Sequence, residues 1–149
     1  MKRRFFLFFF LIFTIVLASC SSQTSNIAEK VTVFKSASCG CCGNYVSYLK
    51  SKGFSVSVVN VDDISSIKRK HGIPLNMESC HTVEFGDYFV EGHVPIEAVN
   101  KLILEKPDIK GIMLPGMPSA SPGMPGSKME PFEIYALQMD GGVNLFMRM

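Results

Sequence analysis

Three cysteines fall within four positions, in Ser38-Cys39-Gly40-Cys41-Cys42-Gly43, directly after the apolar run Val31-Thr32-Val33-Phe34. A buried free cysteine behaves as a small hydrophobe, but Gly40 and Gly43 leave little side-chain surface around these three. Core packing therefore does not explain them. The run before them reads as a buried strand, and Asn44-Tyr45-Val46-Ser47-Tyr48-Leu49-Lys50 after them reads as a helix. The thiols sit where a strand ends and a helix begins. Unpaired backbone N–H groups and the helix dipole favour the thiolate there, the form that attacks disulfides and binds metals. Cys39 and Cys42 also have the C-x-x-C spacing of a redox pair, with Cys41 as an extra thiol inside it.

The first residues of the chain read as a targeting segment. Lys2-Arg3-Arg4 is a basic start, Phe5 to Leu17 is apolar apart from Thr14, and Leu17-Ala18-Ser19 supplies small residues before Cys20. This is the pattern of a secretory signal over residues 1–19, too short for a membrane span. Leu17-Ala18-Ser19-Cys20 also resembles the bacterial lipobox. That resemblance implies cleavage before Cys20 and a diacylglycerol on its thiol. With Ser21 next rather than aspartate, it favours an outer-membrane anchor facing the periplasm where the source is Gram-negative. Removing this segment takes three of the 15 basic residues and none of the 13 acidic ones, leaving a chain one charge negative. The apparent basicity belongs to the signal, so nothing argues for nucleic acid as a partner. Residues 20–30 read as a polar tether, and 31–149 as one domain. Cys39, Cys41, Cys42 and Cys80 then remain as thiols. Three of them clustered in one turn make a poor staple, because the loops between them are too short to restrict the unfolded chain. A reactive or metal site is the better account.

Along the domain, Val31–Lys35 is the first strand, and a helix runs from the cysteine turn to about Lys52, with Gly53 as its stop. Phe54 to Val61 reads as a second strand. Asp62 or Asp63 caps a short helix through Ile64, Ile67 and Lys70, closed by Gly72 and Pro74. Strand–helix–strand–helix is a βαβ unit with parallel strands. Thr82-Val83-Glu84-Phe85 and Tyr88-Phe89-Val90-Glu91, joined by Gly86-Asp87, form a hairpin. Pro95 opens a helix through Leu104. From Gly111 the chain becomes a Pro/Gly/Met-rich extension, with a final hairpin expected from Glu133–Gln138 and Val143–Met147 around Gly141-Gly142. The element order resembles the thioredoxin-like fold, an α/β architecture. That resemblance implies that Met77-Glu78-Ser79-Cys80-His81, entering the third strand, packs against the start of the first helix and brings Cys80 beside the other thiols. The chain departs from thioredoxins in having Ser79-Cys80-His81 where they carry a cis-proline, which argues against ordinary dithiol exchange.

Copper(I) is the metal best matched to thiolate and thioether donors. Four thiols facing a loop with Met113, Met117, Met124 and Met129 would make a soft donor set. Met117 and Met124 stand out, because each lies between Gly and Pro where there is little core to fill. Zinc also accepts four thiolates, but structural zinc sites usually pair two C-x-x-C knuckles. Cys39, Cys41 and Cys42 crowd a single ion, and thiolates bridging several copper ions would relieve that crowding. His71 ends a helix, where a cation is ordinary. His81 and His93 are read either as ligands or as hydrogen-bonded histidines beside them. No Ser/His/Asp arrangement, phosphate loop or carboxylate pair offers another enzyme class.

Four ordered blocks, Cys39-Gly40-Cys41-Cys42, Ser79-Cys80-His81-Thr82, Glu91-Gly92-His93-Val94-Pro95 and Pro115-Gly116-Met117-Pro118 with Ser121-Pro122-Gly123-Met124, resemble one bacterial family. Long filed as a domain of unknown function, that family includes the CopG-type copper-resistance proteins. The resemblance spans Val31 to about Leu137. It implies a periplasmic thioredoxin-like protein that binds copper through Cys39, Cys41, Cys42 and Cys80 and serves copper tolerance alongside other copper-handling envelope proteins. The chain departs from the pattern at Pro125-Gly126-Ser127-Lys128-Met129, where relatives often carry acidic residues or further methionines. Three functions are expected in descending order: copper(I) binding, a thiol–disulfide or copper-redox oxidoreductase using Cys39 and Cys42, and a zinc-stabilised interaction module.

Overall fold

The computed structural model describes residues 30–149. The signal segment, the lipidation site at Cys20 and nearly all of the tether lie outside the described residues. Strand β1 (Lys30–Lys35) leads into helix α1 (Gly40–Ser51), strand β2 (Ser55–Asn60) and helix α2 (Ser65–His71). A 3-10 turn at Leu75–Met77 precedes β3 (His81–Phe85) and β4 (Tyr88–Glu91). Helix α3 (Ile96–Glu105) then connects to β5 (Ile109–Met113), and β6 (Glu133–Gln138) and β7 (Val143–Arg148) close the chain. All the strands form one sheet in the order β2-β1-β3-β4-β5-β6-β7.

The β1–β2 pair is parallel and β3 runs antiparallel to β1, as the thioredoxin-like order requires. Phe85 pairs with Tyr88 across Gly86-Asp87, so the expected hairpin forms with a two-residue turn. Period-two alternation sends Val31, Val33, Val83 and Phe85 to one face of the sheet, against Tyr45, Val46 and Leu49 of α1 and Ala98, Val99 and Leu102 of α3. Phe89, Met113 and Leu137 point to the other face with Ile73 and pack there as a smaller second core.

Four local expectations need correcting. Helix α2 starts after Ile64, whose backbone is already helical; the Asp63 carboxylate accepts the Ser65 N–H at 2.9 Å from just outside the helix. Pro95 is the residue before α3 rather than its first member. Strand β2 is one residue shorter at each end than the expected Phe54 to Val61, and it lies at the sheet edge with Val58 and Val59 exposed. The Pro/Gly-rich extension does not begin at Gly111, which lies inside β5 and pairs with Phe89 of β4. Glycine is needed there, because a Cβ would stand 2.2 Å from the Phe89 carbonyl oxygen and 2.6 Å from its ring. Met113 consequently belongs to the second core and is withdrawn from the loop donors.

Gly111→Ala is expected to destabilise the protein by about 1–3 kcal/mol through overpacking against Phe89. Thermal unfolding of the variant measures it, and an unchanged midpoint would contradict the placement of β5.

Candidate metal centre

Helix α1 begins at the cysteine turn because Cys39 is its N-cap. The backbone of Cys39 is extended, and its Sγ accepts the Cys42 N–H at 3.4 Å. Upstream, the Cys39 N–H donates to the Ser36 carbonyl at 3.1 Å, and the buried Lys35 ammonium donates to the same oxygen at 2.7 Å. Cys39 and Cys42 are joined as a disulfide. Cys41 and Cys80 are free, with Cys41 Sγ 3.5 Å from Cys39 Sγ and 3.9 Å from Cys80 Sγ. All four sulfurs lie within 4.8 Å of one another. The mid-chain cysteine therefore meets the helix tip, as the fold resemblance implied.

Cys80 is held there from beneath. Glu91, fully buried on the α2 side of the sheet, forms an ion pair with the equally buried Lys68 of α2. The same carboxylate accepts the Ser79 N–H at 2.5 Å and the Thr82 hydroxyl at 2.6 Å, gripping the chain on both sides of Cys80. Burial raises the Glu91 carboxyl pKa, while the Lys68 ammonium and these two hydrogen bonds oppose the shift. The Cys80 thiol is pushed up to about 12, first by burial and then by the neighbouring Cys41. The acid-shifted thiolate expected at the helix start does not extend to Cys80.

Two imidazoles flank Cys80. His93 Nε2 lies 3.2 Å and His81 Nδ1 3.4 Å from its sulfur. His93 Nδ1 is 2.7 Å from the Pro122 carbonyl, which can only accept, so Nδ1 carries the proton and the Nε2 lone pair faces Cys80. Burial lowers the pKa of both histidines and favours their neutral forms; His93 and Lys68 add to the effect on His81. The fully buried Tyr45 backs both rings, with centroids 4.6 Å from His81 and 5.5 Å from His93, and its hydroxyl donates to the Val94 carbonyl at 2.8 Å.

The methionine-bearing loop is strapped over this pole. Asn44 of α1 donates to the Gly123 carbonyl at 3.1 Å, and a Cβ on Gly123 would stand 2.8 Å from the Tyr45 nitrogen, so only glycine lets the loop approach so closely. Within this loop Met124 is half-buried and Met117 exposed, while Met129 is largely exposed in a groove beside Tyr135 and Arg148. His71 lies away from the thiols, 3.0 Å from Glu84 and against Phe89. The sequence reading missed Lys68, Glu91 and Tyr45 as supports. Only Glu91 carried a signal, by standing in a motif block.

A family model described as "Protein of unknown function, DUF411" matches residues 77–124, which hold Cys80, both imidazoles and the strapping loop as far as Met124. Two solved structures, Form 2 and Form 1 of a copper resistance protein CopG, are each 36% identical to this chain. They cover 80% of this chain and are themselves covered to 97% and 96%, with TM-scores of 0.75 and 0.74. No curated protein matches the chain.

Lys68→Met should destabilise the fold by about 3–5 kcal/mol, because it strands a buried carboxylate. Lys68→Met with Glu91→Gln should cost less than the single change. Urea denaturation of the two variants and of Glu91→Gln alone tests this, and additive costs would mean the pair is not coupled.

Proposed function

The chain belongs to the CopG-type copper-resistance family, and we propose that it handles copper by binding copper(I) through the thiolates of Cys39, Cys41, Cys42 and Cys80. One observation carries this reading: the approach of Cys41 and Cys80 to 3.9 Å, which joins a sulfur from mid-chain to the helix tip. Thiolates select soft ions, and four of them within 4.8 Å are too close to act independently. Sulfurs packed this tightly can each bridge two ions, so a small multinuclear copper cluster fits the set better than one crowded ion. The Cys39–Cys42 disulfide must first be reduced, taking two electrons and two protons from a dithiol donor to give two thiols. Those thiols and the remaining two then lose their protons as copper binds. Met117 and Met124, on the strapping loop, are further candidate donors by their thioether chemistry.

The leader and Cys20 support an envelope site of action. We assign the protein to the periplasmic face of a membrane, held by a lipid on Cys20, with the outer membrane favoured in a Gram-negative source, and with other copper-handling envelope proteins as its exchange partners. Cells fed a labelled fatty acid should incorporate it into the wild-type protein and not into Cys20→Ser, and an unlabelled wild-type protein would remove the anchor from the proposal.

After reduction and anaerobic loading, the domain should take up more than one copper ion per chain, counted by metal analysis. Cys41→Ser or Cys80→Ser should abolish the multinuclear species, seen as loss of copper–copper neighbours in X-ray absorption. Uptake of zinc in preference to copper under competition would overturn the assignment.

The Cys39–Cys42 disulfide favours a second reading, a thiol–disulfide or copper-redox oxidoreductase. Cys39 is partly exposed at the helix tip, whereas Cys42 is fully buried. A substrate thiolate would attack the Cys39 sulfur and form a mixed disulfide. The S–S bond would break, leaving Cys42 as a thiolate at the helix start, where backbone N–H groups stabilise it. Disulfide-reductase activity that survives Cys80→Ser but not Cys39→Ser would support this reading, and no turnover with any dithiol would remove it.

A further inference from the structure

Exposed groups that neither the core nor the thiol site uses gather where β1 begins. Lys30 opens that strand, α1 closes with Lys50 and its C-cap Lys52, and α3 closes with Leu104 and its C-cap Lys106. We propose that this surface docks on a bilayer of anionic phospholipid and takes headgroup phosphates into a groove between α2 and the α3–β5 connection. The inference deepens the envelope reading and rests on it, because the lipid on Cys20 is what brings a bilayer here.

Four observations carry it. First, the groove has a volume of about 630 Å³, and Arg69, Lys70, Lys106 and Lys110 line it against Asp87 and Asp108. Arg69 and Lys70 hold exposed carboxylates, in pairs that water and salt loosen. Lys106 and Lys110 have no ion-pair partner among the described residues. The Lys110 ammonium reaches over Gly72, 4.0 Å from where a Cβ there would stand. Second, Lys106 has a φ of 46°, in the left-handed region that favours glycine at the end of a helix. A strained lysine without an intramolecular partner points to a ligand for its charge.

Third, apolar tips stand beside these charges. Leu104 is 81% exposed in the last turn of α3, and Met139 is 56% exposed on the groove wall. Apolar side chains entering the acyl boundary while lysines stay at the phosphates is the pattern of an interfacial surface. A soluble anion would have no use for the leucine. Fourth, Cys20 and Lys30 are ten residues apart, a covalent reach of at most about 35 Å. A lipid on Cys20 therefore keeps this surface close to the headgroups, and contacts that are individually weak become effective. Docking would set which way the domain faces rather than how firmly it is held.

The test uses the polypeptide 20–149 carrying Cys20→Ser, which retains every described residue and bears no acyl chain. It should sediment with vesicles of phosphatidylcholine and phosphatidylglycerol in equal parts but not with phosphatidylcholine alone, and high salt should release it. Lys106→Glu with Lys110→Glu should lower the partition by about tenfold or more. Leu104→Ser, which leaves every charge in place, should also weaken it. With no further substitution to perturb folding, lipid bearing a headgroup spin label should quench the amide signals of Asp87, Leu104 and Lys106 before that of Gly40. Equal partition onto both vesicles, no partition, or quenching that begins at Gly40 would overturn the inference. So would inorganic phosphate shifting the Lys106 and Lys110 signals without vesicle binding, which would make the groove a site for a soluble anion. Fatty-acid labelling of Cys20 is read separately: labelling without partition removes this surface, and partition without labelling removes the anchor.

Discussion

The geometry of this protein depends on one buried carboxylate. Glu91 ends the hairpin, is neutralised by Lys68 from α2, and uses its two oxygens on the Ser79 N–H and the Thr82 hydroxyl. A buried ion pair is weak evidence for stability, because desolvation offsets most of the attraction. Its value here is in position. With both oxygens committed, the segment that carries Cys80 cannot slide along β3 without stranding a charge. Cys80 is thereby fixed opposite a helix tip that it does not adjoin in sequence.

The two sides of the sheet divide the work. The α1/α3 face carries the larger apolar core and ends at the thiol pole, where Tyr45 packs beneath both imidazoles. The α2 face carries the ion pair and the smaller core around Phe89 and Met113. Cys80 lies just before β3 and is reached from both: its neighbour His81 points to the first face, and the carboxylate that grips Ser79 and Thr82 comes from the second. Tyr48 adds a brace between the helices by accepting the Ile96 N–H at 2.8 Å.

Much of this was readable from residue order. The apolar run of β1, the Gly86-Asp87 turn and the apolar residues of α3 are local signals, and each produced its element. The pattern failed where local and long-range demands part. Lys110-Gly111 interrupts the hydrophobic alternation of β5, and the glycine there answers to Phe89, a residue 22 positions away that no window around Gly111 includes. Reading Gly111 as the start of a loop then placed Met113 among donors rather than in the core. At the site, clustering revealed three of the thiols and the fold resemblance supplied Cys80. The Lys68–Glu91 pair spans 23 residues, and a lysine in a polar helix gives no hint that it is buried. The pairing of Cys39 with Cys42 was legible from spacing, whereas the orientation of His93 depends on a carbonyl 29 residues further on.

The direction of β1 has a consequence of its own. Val31 pairs with Phe85, beside the Gly86-Asp87 turn, whereas Lys35 leads into the cysteines. The chain therefore enters the domain at one end of the sheet and reaches its sulfurs at the other, about 20 Å away along the strand. Whatever is fastened ahead of Lys30, whether a bilayer, a resin or a fusion partner, meets the end remote from the thiols. Immobilised by that end, the domain would present its sulfurs outward, open to collision with visiting proteins.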